Sequence, residues 1–279
     1  MSGDNDVQIS KAEIEELRKL ADISEFHAHS VRQLISQRSR LFEVIKLIGE
    51  VADFPKSAFS KILGSSSAGL KEVVALVEAS NSQFLQDAFC LLLNGGKRNG
   101  FFVEFGACDG LLISNTVLLE REFGWTGILS EPSHHWQDSI RKNRNCIIDN
   151  RCVWKQTGEF IEFAEFTNDD YSTQSGILQT SESGLQVSSS YQVETISLSD
   201  LLHTHGAPSH IDFMSIDTEG SEFEILQEFP FSKYSFGFIA IEHKTPETEE
   251  PIKDMLEKNG YKQAFRAISG HDGFYLPST

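Results

Sequence analysis

The spacing of apolar residues divides the chain near residue 80. Behind a capping box at 10–13 (SKAE), apolar residues recur at steps of three and four as far as residue 45, which predicts one or two amphipathic helices. The GSSSAG segment at 64–69 interrupts this pattern before one further predicted helix. We therefore predict an N-terminal helical appendage over residues 1–80. It either covers a substrate cleft, joins two subunits as a homodimer or packs on its neighbour without a further role.

Residues 81–279 follow a different pattern, in which short apolar strands alternate with helical segments. Strands are predicted at 101–105, 124–131, 146–148, 210–217, 236–243, 261–268 and 273–276, and helices at 83–93, 115–123, 136–143, 221–229 and 250–260. Strands that alternate with helices form mostly parallel sheets with both faces covered. The pattern therefore predicts one α/β domain with a doubly wound sheet.

The stretch between Gly158 and Thr195 does not follow this alternation. EFIEFAEF at 159–166 predicts one more strand, but residues 167–190 are rich in Ser, Thr and Gly and carry no clear period. We expect a flexible insertion over the active site here, which serves either as a lid or as a substrate loop, or else a disordered segment with no role.

Composition and charge limit the class of protein. Apolar residues make up 39 % of the 279 residues, which is enough for a core, and no apolar run approaches the roughly eighteen residues of a membrane span. The acidic, polar start does not resemble a signal peptide, so we expect a cytoplasmic protein. The formal net charge is −17, of which residues 1–80 contribute −2 (12 acidic and 10 basic residues). The rest of the negative charge lies in residues 81–279. A domain this acidic repels phosphate backbones, so nucleic acid is a poor candidate as partner.

The cysteines and histidines indicate no metal centre. The four cysteines include no CxxC pair, which argues against a zinc site and against a disulfide framework. The HAH segment at 27–29 and the HTH segment at 203–205 stand beside no second cluster of ligands, so we interpret them as solvated histidines near helix ends.

Polar residues stand at the ends of four predicted strands. GACDG at 106–110 follows the first strand, Glu131 ends the second, Asp217 ends the fourth, and Glu242 and His243 end the fifth. In a doubly wound sheet, ligands bind at the carboxyl ends of the strands near the point where the strand order reverses. These residues therefore predict one binding crevice.

The glycine turn indicates which cofactor fills this crevice. A dinucleotide site needs GxGxxG, and here Cys108 stands where the middle glycine is required, which weakens the case for a pyrophosphate. S-adenosylmethionine carries no phosphate, but its ribose diol, ammonium and sulfonium groups favour carboxylates. Glu131 is placed to accept both ribose hydroxyls, and Glu104, two residues before Gly106, can order the turn and face the ammonium group. An NAD-linked oxidoreductase on the same sheet is the alternative.

Residues 82–276 resemble the FkbM family of S-adenosylmethionine-dependent methyltransferases. The motifs that carry the resemblance are FVEFGACDG, SNTVLLEREFGWTGILSEP, CIIDNRCVW, VETISLSDLL, IDFMSIDTEGSEFEIL and DGFYL. The resemblance implies a Rossmann-like class I methyltransferase fold with a mostly parallel seven-stranded sheet. It also implies methyl transfer to a hydroxyl of a sugar, a glycan precursor or a related secondary metabolite such as a polyketide. One departure is Ser215, where the family often has lysine.

The resemblance also implies a set of cofactor-binding residues. They are Glu104, Gly106, Ala107 and Asp109 around the methionine moiety, Asn115 at the start of the next helix, Glu131 on the ribose, Arg151 and Cys152 against the adenine, and Asp217 beside the methyl group. At Arg151 and Cys152 the backbone is expected to matter more than the side chains. Arg151 is alternatively a surface base on an acidic domain.

Methylation of an alcohol requires a base, because the hydroxyl must lose its proton as the new bond forms. Histidine suits this role near pH 7, and we predict that His243 is the base. Asp217 or Glu242 would orient it or bind substrate. Two alternatives stay open. In one, Asp217, Glu242 and His243 hold Mg²⁺, which acidifies the hydroxyl. In the other, the chain binds the cofactor but is an inactive interaction module.

Overall fold

The computed structural model describes residues 75–167, 173–178, 186–243, 246–266 and 269–278. Most of the predicted appendage at 1–80, and the homodimer predicted through it, therefore lie outside the described residues. Residues 75–79, at the described end of that segment, are helical. None of the helices in the described ranges is long and apolar enough to cross a membrane.

Strands and helices alternate along much of the described chain. The strands are β1 (Phe101–Phe105), β2 (Thr126–Ser130), β3 (Ile147–Asp149), β4 (Cys152–Trp154), β5 (Phe160–Thr167), β6 (Thr173–Ile177), β7 (Gln186–Ser197), β8 (His210–Ile216), β9 (Ser235–Glu242), β10 (Tyr261–Ala264) and β11 (Asp272–Pro277). The helices are α1 (Gln86–Leu93), α2 (Val117–Phe123), α3 (Gln137–Asn143), α4 (Leu198–Thr204), α5 (Glu222–Leu226) and α6 (Pro246–Lys258).

The main sheet has seven strands in the order β10-β11-β9-β8-β1-β2-β3. The pairs β1/β2, β2/β3, β1/β8 and β8/β9 are parallel, and β11 runs antiparallel to both β9 and β10. The chain leaves β1 on one side for β2 and β3 and returns on the other side to β8, so the strand order reverses between β1 and β8. The predicted Rossmann-like, doubly wound and mostly parallel seven-stranded sheet is confirmed.

Both faces of the main sheet are buried, which explains why its strands are apolar in nearly every position. Phe102 and Phe213 pack on one face with residues of α1, α2 and α3, whereas Val103 and Met214 pack on the other face with residues of α4, α5 and α6. Neighbouring residues of one strand point to opposite faces, so a strand covered on both sides needs a continuous apolar run.

A second sheet corrects the prediction of a flexible insertion for the described residues of the 167–190 segment. It has the order β4-β7-β5-β6, in which β5 pairs antiparallel with β6 and β7. The described parts of the insertion, 173–178 and 186–190, lie mainly in β6 and β7. The first half of β7 is polar and exposed, so pairing with β5 holds it in place and burial of an apolar face does not. For this reason the hydrophobic pattern did not show it.

Candidate functional site

A tight turn joins β1 to the following loop at the reversal point of the main sheet. Gly106 has φ +78°, and a Cβ atom there would overlap the backbone carbonyl oxygen of Asp217. The Gly106 amide donates to the Ser130 carbonyl oxygen at 3.2 Å, and the Asp217 amide donates to the Phe105 carbonyl oxygen at 3.3 Å. The ends of β1, β2 and β8 thus meet around a residue that must be glycine.

Glu131 follows β2 and is buried, with 2 % of its surface exposed. One carboxylate oxygen accepts from the Cys108 amide at 2.8 Å, and the other accepts from the Ser133 amide, also at 2.8 Å. Burial raises the pKa of Glu131 to about 7, because the loss of hydration outweighs these two hydrogen bonds. Since each carboxylate oxygen can accept a second hydrogen bond, Glu131 keeps acceptor capacity for a ligand.

A small pocket, partly open to solvent, lies beside these residues. Its lining includes four of the predicted site residues: Gly106, Glu131, Cys152 and Asp217. Phe105 and Ser130, which end β1 and β2 of the main sheet, line the pocket together with Cys152, Phe163, Ser175 and Ile177 of the second sheet. Two residues of the predicted insertion, Ser175 and Ile177, thus line the pocket from a paired strand, and a role of the insertion as a lid or substrate loop stays a prediction.

The other predicted residues do not line this pocket, and several of them have structural partners. Asp109 accepts from the Leu111 and Leu112 amides at 2.8 and 2.7 Å and closes its own turn. Arg151 donates to both carboxylate oxygens of Asp149. Ala107 is buried in the core on the α1 face of the main sheet. These three placements show contacts within the chain, and the predicted roles of these residues toward a cofactor stay predictions.

Glu104 is an acidic residue in a buried strand, and its hydrogen bonds explain why it can be there. It is 3 % exposed and accepts from the Asn115 amide at 2.7 Å, from the Ser114 hydroxyl at 3.1 Å and from the Thr116 hydroxyl. The Arg144 guanidinium lies 3.7 Å away and also donates to Glu120 at 2.9 Å. Glu104 therefore orders the loop before α2, whereas the predicted element was the glycine turn at 106–110, and its predicted contact with the ammonium group stays a prediction.

Asn115 has one buried atom that the described chain does not satisfy. Its side-chain Nδ2 donates to the Ser215 hydroxyl at 2.8 Å, whereas its Oδ1 is buried with no hydrogen-bond partner among the described residues. A buried acceptor without a donor is costly, and a donor on a bound ligand would remove this cost. Ser215 thus binds the Asn115 amide at the position where the family often has lysine.

Asp217 follows β8 and is surrounded by other acids. Burial contributes most to raising its pKa well above the usual value, and the nearby charge of Glu242 contributes next. The turn after Asp217 is held by Glu222, which accepts from the Thr218 and Gly220 amides at 2.9 and 3.1 Å. Accumulated negative charge next to the pocket favours a cationic ligand.

Asp272 adds a further buried acid at the start of β11, in register with Glu242 of β9. It accepts from the Gln86 side-chain amide at 2.7 Å, and burial raises its pKa to about 7. Because this pKa lies above the unfolded value of about 4, the folded state binds the proton more tightly, and its stability falls as the pH rises from about 4 to about 7.

This linkage predicts the effect of Asp272→Asn. We expect the free energy of unfolding of the variant, relative to wild type, to rise by about 2 to 3 kcal/mol between pH 5 and pH 7.5. The comparison with wild type is needed because His243, whose pKa is lowered by burial to about 4, acts in the opposite direction over the same range. Urea unfolding at both pH values measures the difference. If the difference in unfolding free energy between variant and wild type is the same at both pH values, Asp272 is ionised in the folded state over this whole range.

His243 does not line the pocket. It follows β9, is 5 % exposed, and its Nε2 lies 2.9 Å from the Tyr275 hydroxyl oxygen. Its Nδ1 is buried and has no hydrogen-bond partner among the described residues. With a pKa of about 4, the imidazole is neutral at pH 7 and able to accept a proton. Its role as base stays a prediction, as does the role of Glu242, which is half-buried at the end of β9.

The sequence analysis did not single out the other residues that line the pocket. Ser130 and Pro132 flank Glu131, so the motif contained a signal for them. Thr218 and Ser221 lie in the DTEGSE motif in the same way. Phe163, Ser175 and Ile177 belong to strands whose pairing brings them to the site, and no local pattern indicated this.

Three features suit the predicted cofactor S-adenosylmethionine. Gly106 lines the pocket without a side chain, Glu131 offers a buried carboxylate for a diol, and Asp217 places a carboxyl group at the pocket. Asn115, which follows the glycine turn in the sequence, offers a further acceptor, because its Oδ1 has no hydrogen-bond partner among the described residues. Within the ranges that the structure describes, no group of three His, Cys, Asp or Glu side chains is arranged to hold a metal ion.

Comparison with known proteins places a family domain on this region. The family model described as "Methyltransferase FkbM domain" matches residues 104–263. No curated protein matches the chain.

Similar solved structures include two of METTL16 and one of CurJ. The METTL16 MTase domain has 11 % identity and a TM-score of 0.39, covering 68 % of this chain and 64 % of that chain. The N-terminal domain of human METTL16 has 12 % identity and a TM-score of 0.34, covering 64 % and 61 %. The CurJ carbon methyltransferase has 10 % identity and a TM-score of 0.35, covering 98 % and 72 %. The chain thus spans less than two thirds of either METTL16 chain.

Proposed function

This chain belongs to the FkbM methyltransferase domain family, whose model matches more than half of its residues, and from that premise we propose that it methylates a hydroxyl group with S-adenosylmethionine. The proposed acceptor is a sugar, a glycan precursor or a related secondary metabolite. The observation that carries the proposal is the buried Glu131 carboxylate, held by two backbone amides in a pocket at the carboxyl ends of β1, β2 and β8.

The polar lining of the pocket supports a ligand that carries hydroxyls and no phosphate. Among the described residues, the lining side chains include two carboxylates and four hydroxyls but neither lysine nor arginine: Glu131, Asp217, Ser130, Ser175, Thr218 and Ser221. Pyrophosphates are bound by glycine-rich backbone turns and by cations. This lining therefore favours an adenosyl sulfonium over NAD, the alternative that the fold alone would allow.

When bound, S-adenosylmethionine supplies a methyl group that an oxygen nucleophile can take. In our proposal Glu131 accepts hydrogen bonds from the ribose hydroxyls and thereby fixes the position of the cofactor. Asp217 lies on the same pocket, where its negative charge stabilises a nearby cation. Phe163 and Ile177 add apolar surface to the pocket lining, which in our proposal limits the access of water to the methyl group.

The position of Asp217 makes it a second candidate for the base beside His243. Asp217 lines the pocket, whereas His243 does not. The raised pKa of Asp217 makes its ionised form a stronger base than an ordinary carboxylate, and a bound cation would favour that ionised form. We propose that Asp217 accepts the proton of the acceptor hydroxyl and that His243 supports the end of β9.

Titration with S-adenosylmethionine tests the proposal. We expect wild type to bind, and Glu131→Gln to bind about ten- to a hundredfold more weakly, because it loses charge-assisted hydrogen bonds worth about 1.5 to 3 kcal/mol. Isothermal titration calorimetry measures both. Glu162→Gln serves as a control, since Glu162 lies exposed on β5 and does not line the pocket.

Two outcomes would contradict the proposal. Binding of NADH in place of S-adenosylmethionine would favour the oxidoreductase alternative. Binding of S-adenosylmethionine without transfer of a labelled methyl group to any component of a metabolite extract would favour an inactive interaction module.

A further inference from the structure

A hydrogen-bond network on the second sheet reaches the loop that carries Glu131. Glu165 of β5 accepts from the Tyr191 hydroxyl at 2.7 Å and from the Ser189 hydroxyl at 3.0 Å, both on β7. It also accepts from the Ser133 hydroxyl at 3.1 Å, and Ser133 lies in the loop. One carboxylate therefore joins two strands of the second sheet to the segment that follows β2.

Tyr191 makes a second connection to the same loop. Its hydroxyl accepts from the His134 amide at 2.9 Å while donating to Glu165. Its ring stacks on the His134 ring, with centroids 3.9 Å apart and an interplanar angle of 7°. Two successive loop residues are thus held by two side chains of the second sheet.

The network ends at Glu131, the residue that we propose binds the ribose of the cofactor. Ser133 is fully buried and donates its amide to a Glu131 carboxylate oxygen at 2.8 Å, while its hydroxyl donates to Glu165. A change in the position of Ser133 therefore changes the orientation of Glu131. Ligand groups need placement within a fraction of an ångström, and supporting hydrogen bonds supply it.

The strand geometry at Glu165 fits a specific task. The pairing of β5 with β7 shifts its register between Glu165 and Phe166. Such irregularities turn side chains out of their regular directions and occur often near functional sites. Glu162, which lies before the shift, instead accepts from Ser190 across the same two strands at 2.8 Å and has no contact with the loop among those described. Strands β5 and β7 thus carry both the network around Glu165 and the Glu162–Ser190 hydrogen bond, which serves as a matched control for it.

We propose that Glu165 and Tyr191 are positioning residues that hold the loop at 131–136 so that Glu131 can bind the ribose of the cofactor. This inference rests on the proposed function, because it assigns a ribose to Glu131. It adds that the second sheet sets the affinity for the cofactor as well as lining part of the pocket.

The test compares Tyr191→Phe and Glu165→Gln with the control variants Ser190→Ala and Glu162→Gln. Tyr191→Phe keeps the ring that stacks on His134 and removes the hydroxyl. We expect the dissociation constant for S-adenosylmethionine to rise about tenfold in each network variant, and the double variant to lose less than the product of the two effects. The controls should bind as wild type does.

A second readout separates positioning from general stability. Amide hydrogen exchange of residues 131–136 should become faster in the network variants without ligand, while the midpoint of thermal unfolding stays close to that of wild type. Both measurements use the full chain.

The outcomes distinguish this inference from the proposed function. If wild type does not bind S-adenosylmethionine, the proposed function fails and the inference fails with it. If wild type binds and the network variants bind equally well, the positioning role alone is overturned. Weaker binding accompanied by an equal loss in the controls, or by a large fall in the unfolding midpoint, would also overturn it.

Discussion

Replacing Gly106 by alanine is expected to destabilise the protein by about 3 kcal/mol or more and to abolish binding of S-adenosylmethionine. Two effects combine. At φ +78° a side chain is strained by about 1 to 2 kcal/mol. The new Cβ would also overlap the Asp217 carbonyl oxygen, so the ends of β1 and β8 must separate. That movement would displace Asp217 and would also distort the turn from which the Cys108 amide holds the Glu131 carboxylate, so the main contact to the cofactor would be lost.

Gly158 provides the matched control for this substitution. It has a similar positive φ of +83°, but an added Cβ would meet nothing within 4 Å. Gly158→Ala should therefore show only the backbone strain and should bind the cofactor normally. Chemical unfolding and calorimetric titration of both variants measure the two effects. Equal losses of stability in the two variants would show that the close approach to Asp217 has no influence.

Asp217→Asn is expected to lower the rate of methyl transfer by about two to four orders of magnitude, because the amide cannot accept a proton. Affinity for the cofactor should fall much less, since Glu131 keeps its contacts. His243→Gln is the comparison, and we expect its rate to fall less than about tenfold because His243 does not line the pocket.

Labelled methyl transfer, first against a metabolite extract and then against the acceptor it reveals, measures these rates. The rate of wild type should rise with pH as Asp217 ionises, because burial and the neighbouring acids raise its pKa. A large loss in His243→Gln with a small loss in Asp217→Asn would reverse the assignment and restore His243 as the base.

Much of the main sheet could be predicted from the sequence alone. Apolar runs such as FFVEF and HIDFMSI are buried on both faces, and burial of this kind leaves a continuous signal in the chain. The strand ends were predicted for the same reason, because a polar residue at the end of an apolar run marks the sheet edge. Three residues chosen this way, Gly106, Glu131 and Asp217, line one pocket together with Cys152, which the family resemblance implied.

The buried acid Glu104 shows where local pattern stops being informative. Its position in a buried strand indicated a special role, and the sequence allowed it to order the turn or to face a ligand. In the structure it accepts hydrogen bonds from Ser114, Asn115 and Thr116. Its second neighbour, Arg144, lies forty residues further along and has a fully buried side chain, which a pattern of charged surface residues does not reveal.

The sequence by itself determined the α/β class, the order of strands and helices in the main sheet, and the sheet edge at which polar residues gather. These follow from burial, which acts residue by residue and leaves a period in the chain. Only the tertiary structure decided that the segment after Gly158 forms a second sheet and that Glu165 and Tyr191 reach the Glu131 loop. Pairing between distant strands involves backbone groups that every residue carries, so no side-chain pattern records it.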